Sequence, residues 1–156
     1  MADAWEGTWA TTNEEDTNLI DQALTIQGVN FAVRKAATVA RPKVTTRTYV
    51  KDGVPYLELI RPGVLGGSTT AAWPADGSTF DREEPLYGKV RMTVKKAGDA
   101  AFVITSQPQS NSPAWTAVAE WSVEGSGADR VQTRKSTVKS ADGKEVVLVL
   151  KYKPVA

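Results

Sequence analysis

Carboxylates, lysines and tyrosines are the side chains left to move a proton in this chain, because its 156 residues include no histidine and no cysteine. Without imidazole there is no Ser-His-Asp triad and no histidine haem ligand. Without a thiolate there is no cysteine nucleophile and no zinc site built from nitrogen and sulfur ligands. The groups that remain, among them 18 Asp and Glu and 4 Tyr, are of kinds that occur on every protein surface, and their presence alone argues nothing. No metal and no other cofactor is expected.

Charge narrows the partners further. Lys plus Arg number 19 and Asp plus Glu 18, a net charge of +1 with the signs interspersed, so neither nucleic acid nor an anionic membrane surface is an expected partner. The longest apolar runs, such as Val146 to Leu150, are about five residues, far short of the roughly 20 a membrane span requires. The first residues, Met-Ala-Asp-Ala-Trp-Glu, lack the basic flank and apolar stretch of an export signal, and no cysteine is present for an oxidised framework. A cytoplasmic monomer is the expectation.

The elements that must position these groups follow from hydrophobic period. At this length, with 41% hydrophobic and 24% charged residues, residues 1–156 read as one domain. Residues 5 to 12, rich in Trp and Thr, suit a strand. Asn13 with Asp16 is a capping signal, and Leu19, Ile20, Ala23 and Leu24 recur at helical spacing until Gly28. Asn30 can cap a second helix, Phe31 to Ala40, ended by Arg41-Pro42. From Lys43 the period becomes two. Strands are expected at Lys43 to Lys51, Pro55 to Pro62, Ser68 to Trp73, Phe80 to Tyr87, Lys89 to Lys96, Ala101 to Gln107, Trp115 to Val123, Arg130 to Lys139 and Glu145 to Lys153. Hairpin turns are expected at Asp52-Gly53, Asp76-Gly77, Gly98-Asp99, Gly125 to Gly127 and Asp142-Gly143. Ten short strands with no helix between the last nine cannot form a parallel sheet. An up-and-down antiparallel barrel closes them and abolishes its own edges.

The Gly-Thr-Trp of the first strand, the helical pair and the run Gly28-Val29-Asn30-Phe31-Ala32-Val33-Arg34-Lys35 resemble the intracellular fatty-acid and retinoid binding proteins of the calycin superfamily. Phe80-Asp81 and the last strand ending in Tyr152 extend the likeness over the whole chain. The resemblance implies a ten-stranded barrel with a helix-turn-helix lid over residues 13–40 and an interior cavity for one small hydrophobic ligand. In the family a ligand carboxylate meets an arginine on the third-last strand and an Arg-x-Tyr pair on the last. Here Tyr152 matches the tyrosine, but Leu150 stands two residues before it and the third-last strand carries no arginine.

Glu120 falls near the position of the inner arginine, while a shift of one residue turns it outward and brings Trp121 or Ala119 in. Arg61 and Arg134 are candidate partners for it or substitute anion binders, or else solvated strand residues. Arg34 matches the family's portal, or is plain helix surface. Phe31, Trp73, Tyr87 and Met92 are candidate ligand contacts near that portal, and Trp5 and Trp9 are expected to plug the closed end. Loss of the arginine pair points away from a plain fatty acid and toward a terpenoid, polyketide or alkaloid. The expected function is an intracellular carrier. The alternative is a cofactor-free isomerase or cyclase using Glu120 or Tyr152 in the same cavity.

Overall fold

The computed structural model describes residues 3–12, 17–39, 43–62, 67–84, 86–109 and 114–155. The elements run β1 (Gly7–Thr11), α1 (Thr17–Ile26), α2 (Phe31–Val39), β2 (Val44–Lys51), β3 (Val54–Pro62), β4 (Ser68–Pro74), β5 (Asp76–Glu84), β6 (Gly88–Gly98), β7 (Ala101–Pro108), β8 (Trp115–Glu124), β9 (Val131–Ser140) and β10 (Glu145–Pro154). All pairings are antiparallel, in the order β4-β3-β2-β1-β10-β9-β8-β7-β6-β5. The ten strands therefore form a nearly closed barrel, with two helices after the first strand.

Closure differs from the sequence expectation at one place. The strands β4 and β5 follow each other in sequence but share no ladder, so a seam remains with two sheet edges. Side chains cross it instead. Arg82 on β5 donates to the Thr70 carbonyl on β4 at 3.1 Å, and Arg61 on β3 reaches Glu84 on β5 at 2.6 Å. An edge covered in this way is guarded against pairing with another chain.

The strand from Phe80 to Tyr87 is also revised. It runs Asp76–Glu84, so Asp76-Gly77 lies inside β5, where the register slips between Asp76 and Thr79, and the β5–β6 turn begins after Glu84. Gly77 has φ +84°, a conformation that suits glycine at an irregular ladder position. Trp5 precedes β1 rather than opening it, its amide donating to the Asp3 carboxylate at 3.0 Å. The Asn13 and Asp16 cap and the Arg41-Pro42 break lie outside the described residues. The Asn30 cap is present, with Oδ1 accepting from the Val33 amide at 2.9 Å.

Tryptophans fill the barrel end away from the helices. Trp5 and Trp9 are fully buried, Trp9 Nε1 donates to Thr46 Oγ1 at 2.9 Å, and the Trp5 ring meets Phe102 at 5.1 Å. Arg130 lies 4.9 Å over Trp9 and fastens to the Ala4 and Glu6 carbonyls, which ties the residues before β1 to those opening β9. At the other end, α1 packs Ala23 against Val138 and Val146. An alternation of two on each strand thus yields one lined interior, plugged below and covered above.

Candidate functional site

The interior holds a cavity of about 320 Å3 between the tryptophan plug and α1. That lies at the small end of the range for ligand pockets, roughly 300 to 1,000 Å3. Its walls are mainly apolar, from Ala23 and Leu24 of α1, Val90 and Met92 of β6, Ile104 of β7 and Leu148 of β10. Its charged wall residues are Arg61, Glu84 and Arg134.

The orientation of Arg134 is fixed by three-strand register. Leu150 of β10 stands opposite Arg134 of β9, which stands opposite Trp121 of β8, so the three side chains share one inward-facing row. The position that the resemblance gives to an arginine on the last strand is Leu150, and the inward residue on the third-last strand is Trp121. A guanidinium is nevertheless present in that row, supplied by the strand lying between them.

Arg134 is 9% exposed. Its guanidinium carbon sits 3.9 Å over the Trp121 ring and 4.5 Å over the Tyr152 ring, and Nε donates to Gln132 Oε1 at 2.6 Å. None of the ion pairs among the described residues involves Arg134, and its Nη2 has no hydrogen-bond partner there. Burial holds the guanidinium pKa below its ordinary value. Tyr152 partly offsets that shift and Arg61 adds to it. Two aromatic faces supply cation–π attraction, worth about 2 kcal/mol in a desolvated site, but neither is an acceptor for the remaining N–H groups. Trp73 Nε1, another donor in the cavity wall, is also without a partner among the described residues, and the Trp73 ring lies 5.7 Å from Trp121. The deep end of the cavity is therefore rich in donors and short of acceptors.

Arg61 is neutralised where Arg134 is not. Glu84, 6% exposed, accepts from Arg61 Nη2 at 2.6 Å, and its second oxygen lies 3.4 Å from Arg82 Nε. Tyr87 and Gln27 complete this second polar group on the cavity wall. Crowding of protein atoms about the Tyr87 hydroxyl pushes its pKa up, although the residue keeps some exposed surface, and a hydrogen bond with the Gln27 side chain works in the opposite direction.

Seven of the residues singled out from sequence line the cavity: Arg61, Trp73, Tyr87, Met92, Arg134, Leu150 and Tyr152. Three do not. Glu120 is exposed on the outer face, opposite Val103 and Lys135, because Ala119 and Trp121 take the inward phase of β8. That removes it as an acid or base for chemistry inside the barrel. Arg34 bonds the Asp21 carboxylate at 3.0 Å and the Val29 carbonyl at 2.8 Å, bracing the two helices from outside the cavity. Phe31 is 67% exposed, with Arg34 and Lys35 near its ring, and does not line the cavity either.

Glu84, Gln27 and Gln132 were not expected from sequence. Glu84 sits in Arg82-Glu83-Glu84, which reads as a solvated charge run, yet it shares strand phase with the partly buried Phe80. Gln132 has the same phase as Arg134. Gln27 carried no signal, because its place depends on the β5–β6 turn packing against the end of α1.

The fold is that of the fatty-acid-binding proteins. A Schistosoma mansoni fatty acid binding protein in complex with arachidonic acid superposes with a TM-score of 0.70 at 20% identity, over 98% of this chain and 97% of that one. The extracellular fatty acid binding protein As-p18 gives 0.62 at 16% identity, over 98% and 97%. Zebrafish ileal bile acid-binding protein with cholic acid gives 0.57 at 20% identity, over 97% and 99%. No family model and no curated protein sequence matches the chain. Among the described residues no helix is long and apolar enough to cross a membrane.

Proposed function

We propose that this protein binds an elongated organic acid reversibly inside its barrel, with the acid group on Arg134 and the tail against the apolar wall. The observation that carries the reading is the state of Arg134, a buried guanidinium between two rings with no carboxylate beside it. A buried cation without a counter-charge is unfavourable, and a ligand anion relieves it with charge-assisted hydrogen bonds in a low-dielectric site. Two solved structures of this fold are complexes with acids, arachidonic and cholic, which supports the same chemistry here.

The loss of the arginine pair therefore does not argue against a carboxylate, since Arg134 takes a place between the two missing side chains. An alkaloid fits poorly, because its cation would face Arg134. Acidic terpenoids and polyketides remain within the proposed class. A carrier role needs nothing beyond this binding, whereas the isomerase or cyclase alternative keeps Tyr152 in the cavity but not Glu120, which lies on the outer face.

Displacement of an environment-sensitive fluorophore by dodecanoate and by dodecanol tests the reading. Dodecanoate should bind at least about tenfold tighter, and Arg134→Gln should remove the difference. Tyr152→Phe, which loses one hydroxyl beside Arg134, should weaken dodecanoate by about tenfold if that hydroxyl also reaches the acid. Equal binding of acid and alcohol to the unaltered protein would overturn the assignment of Arg134.

A further inference from the structure

The cavity has a second polar end, and its chemistry differs from the first. Trp73 stands opposite Leu57 on β3, and Trp73, Trp121 and Arg134 cluster at the deep end. Arg61 lies four residues further along β3 from Leu57, which at about 3.3 Å per residue sets the two backbone levels roughly 13 Å apart. At that upper level Glu84, Tyr87 and Gln27 also line the cavity, beneath the end of α1.

An apolar tail lying against this group would take water from a carboxylate, a phenol and an amide without replacing its hydrogen bonds. The group can meet either half of a hydrogen bond. Glu84 Oε1 is ion-paired with Arg82 Nε at 3.4 Å but accepts no hydrogen bond among the described residues and can accept one, whereas Tyr87, whose oxygen is bonded by the Gln27 side chain, keeps its O–H to donate. A ligand hydroxyl is both donor and acceptor and matches this pair. A second ligand carboxylate gains less than a hydroxyl there, because Glu84 already holds Arg61 at 2.6 Å and would compete with it for that cation.

We infer that the ligand is an acid with a hydroxyl toward its far end, the acid on Arg134 and the hydroxyl on Glu84, Tyr87 and Gln27. This inference rests on the proposed acid-binding function and names its substrate class more closely. It makes Glu84 and Tyr87 specificity-determining residues.

Dodecanoate, its omega-hydroxy derivative and dodecanedioate, titrated by displacement of the same fluorophore, test it. The hydroxy acid should bind about five- to tenfold tighter than dodecanoate, and the diacid less tightly than the hydroxy acid. Tyr87→Phe and Glu84→Gln should each cut the hydroxy acid's advantage to about twofold or less. Tyr87→Phe keeps the ring against Trp115 and so reads out even if the Glu84 variant does not fold. Tight binding of all three acids alike, with dependence on Arg134, would overturn this inference alone. So would an advantage for the hydroxy acid that survives Tyr87→Phe. Binding of none of the three would overturn the acid-binding function with it.

Discussion

Arg61 and Arg134 line the same cavity, point in from strands on opposite sides of the seam, and differ in what neutralises them. Arg61 has Glu84 at 2.6 Å, with Arg82 on the far side of that carboxylate. Arg134 has two aromatic rings and one amide oxygen. The difference separates a structural charge from a recognition charge. Where the chain supplies both signs, the pair holds two strands together across a missing ladder. Where it supplies one sign and buries it, the balance is left to whatever enters the cavity, at some cost to the stability of the ligand-free protein.

The contrast breaks most plainly at Glu84. Glu84→Ala leaves Arg61 and Arg82 facing each other without an anion, and it removes the side-chain link between β3 and β5. A fully buried pair broken in this way costs about 3 to 5 kcal/mol, and partial exposure of both arginines lowers the expected loss to about 2 to 3 kcal/mol. A chemical denaturation midpoint measures it. A loss below about 0.5 kcal/mol would mean that the pair is a surface feature and that the seam is held by other contacts.

Arg134 should behave with the opposite sign. Arg134→Met removes an uncompensated buried charge and keeps most of the apolar stem, so the ligand-free protein should be unchanged or stabilised by up to about 1 kcal/mol. The same variant should lose its preference for acids. Destabilisation comparable to that of Glu84→Ala would show that the rings and Gln132 satisfy Arg134 fully, and the comparison would fail.

Tyr87 gives the smallest effect, and pH reveals it. Its folded pKa lies above the unfolded value of about 10, so below that pH both states hold the proton. Between the unfolded and folded values the unfolded chain gives up its proton while the native protein keeps it. Stability is therefore whole below about pH 10 and falls as pH rises toward the folded value. Denaturation midpoints at about pH 9 and about pH 11 should show a smaller drop for Tyr87→Phe than for the unaltered protein. An identical drop would mean that the phenol is no more enclosed in the folded state than in the unfolded chain.

Glu120 and Arg134 show how far the sequence alone could be read. Both sit on alternating strands, and for both the question was which phase faces inward. A period of two makes the two answers equally consistent until one residue on the strand is anchored. On β8 the anchor is Trp121, whose ring meets Trp73 from the other side of the barrel, and that contact exists only after closure. Glu120 is turned outward by the same step.

The sequence by itself determined the element types and their order, the helical pair after the first strand and the absence of imidazole and thiol chemistry. Those follow from local period, turn residues and composition, which need no distant partner. Tertiary structure decided which charges the cavity keeps. Leu150, Arg134 and Trp121 form one row only because β10, β9 and β8 pair in that register. Glu84 meets Arg61 only because the seam brings β5 beside β3 without a ladder. Pairing across 23 residues of chain in one case and 16 and 13 in the other is set by the closure of the whole barrel, and no local pattern encodes it.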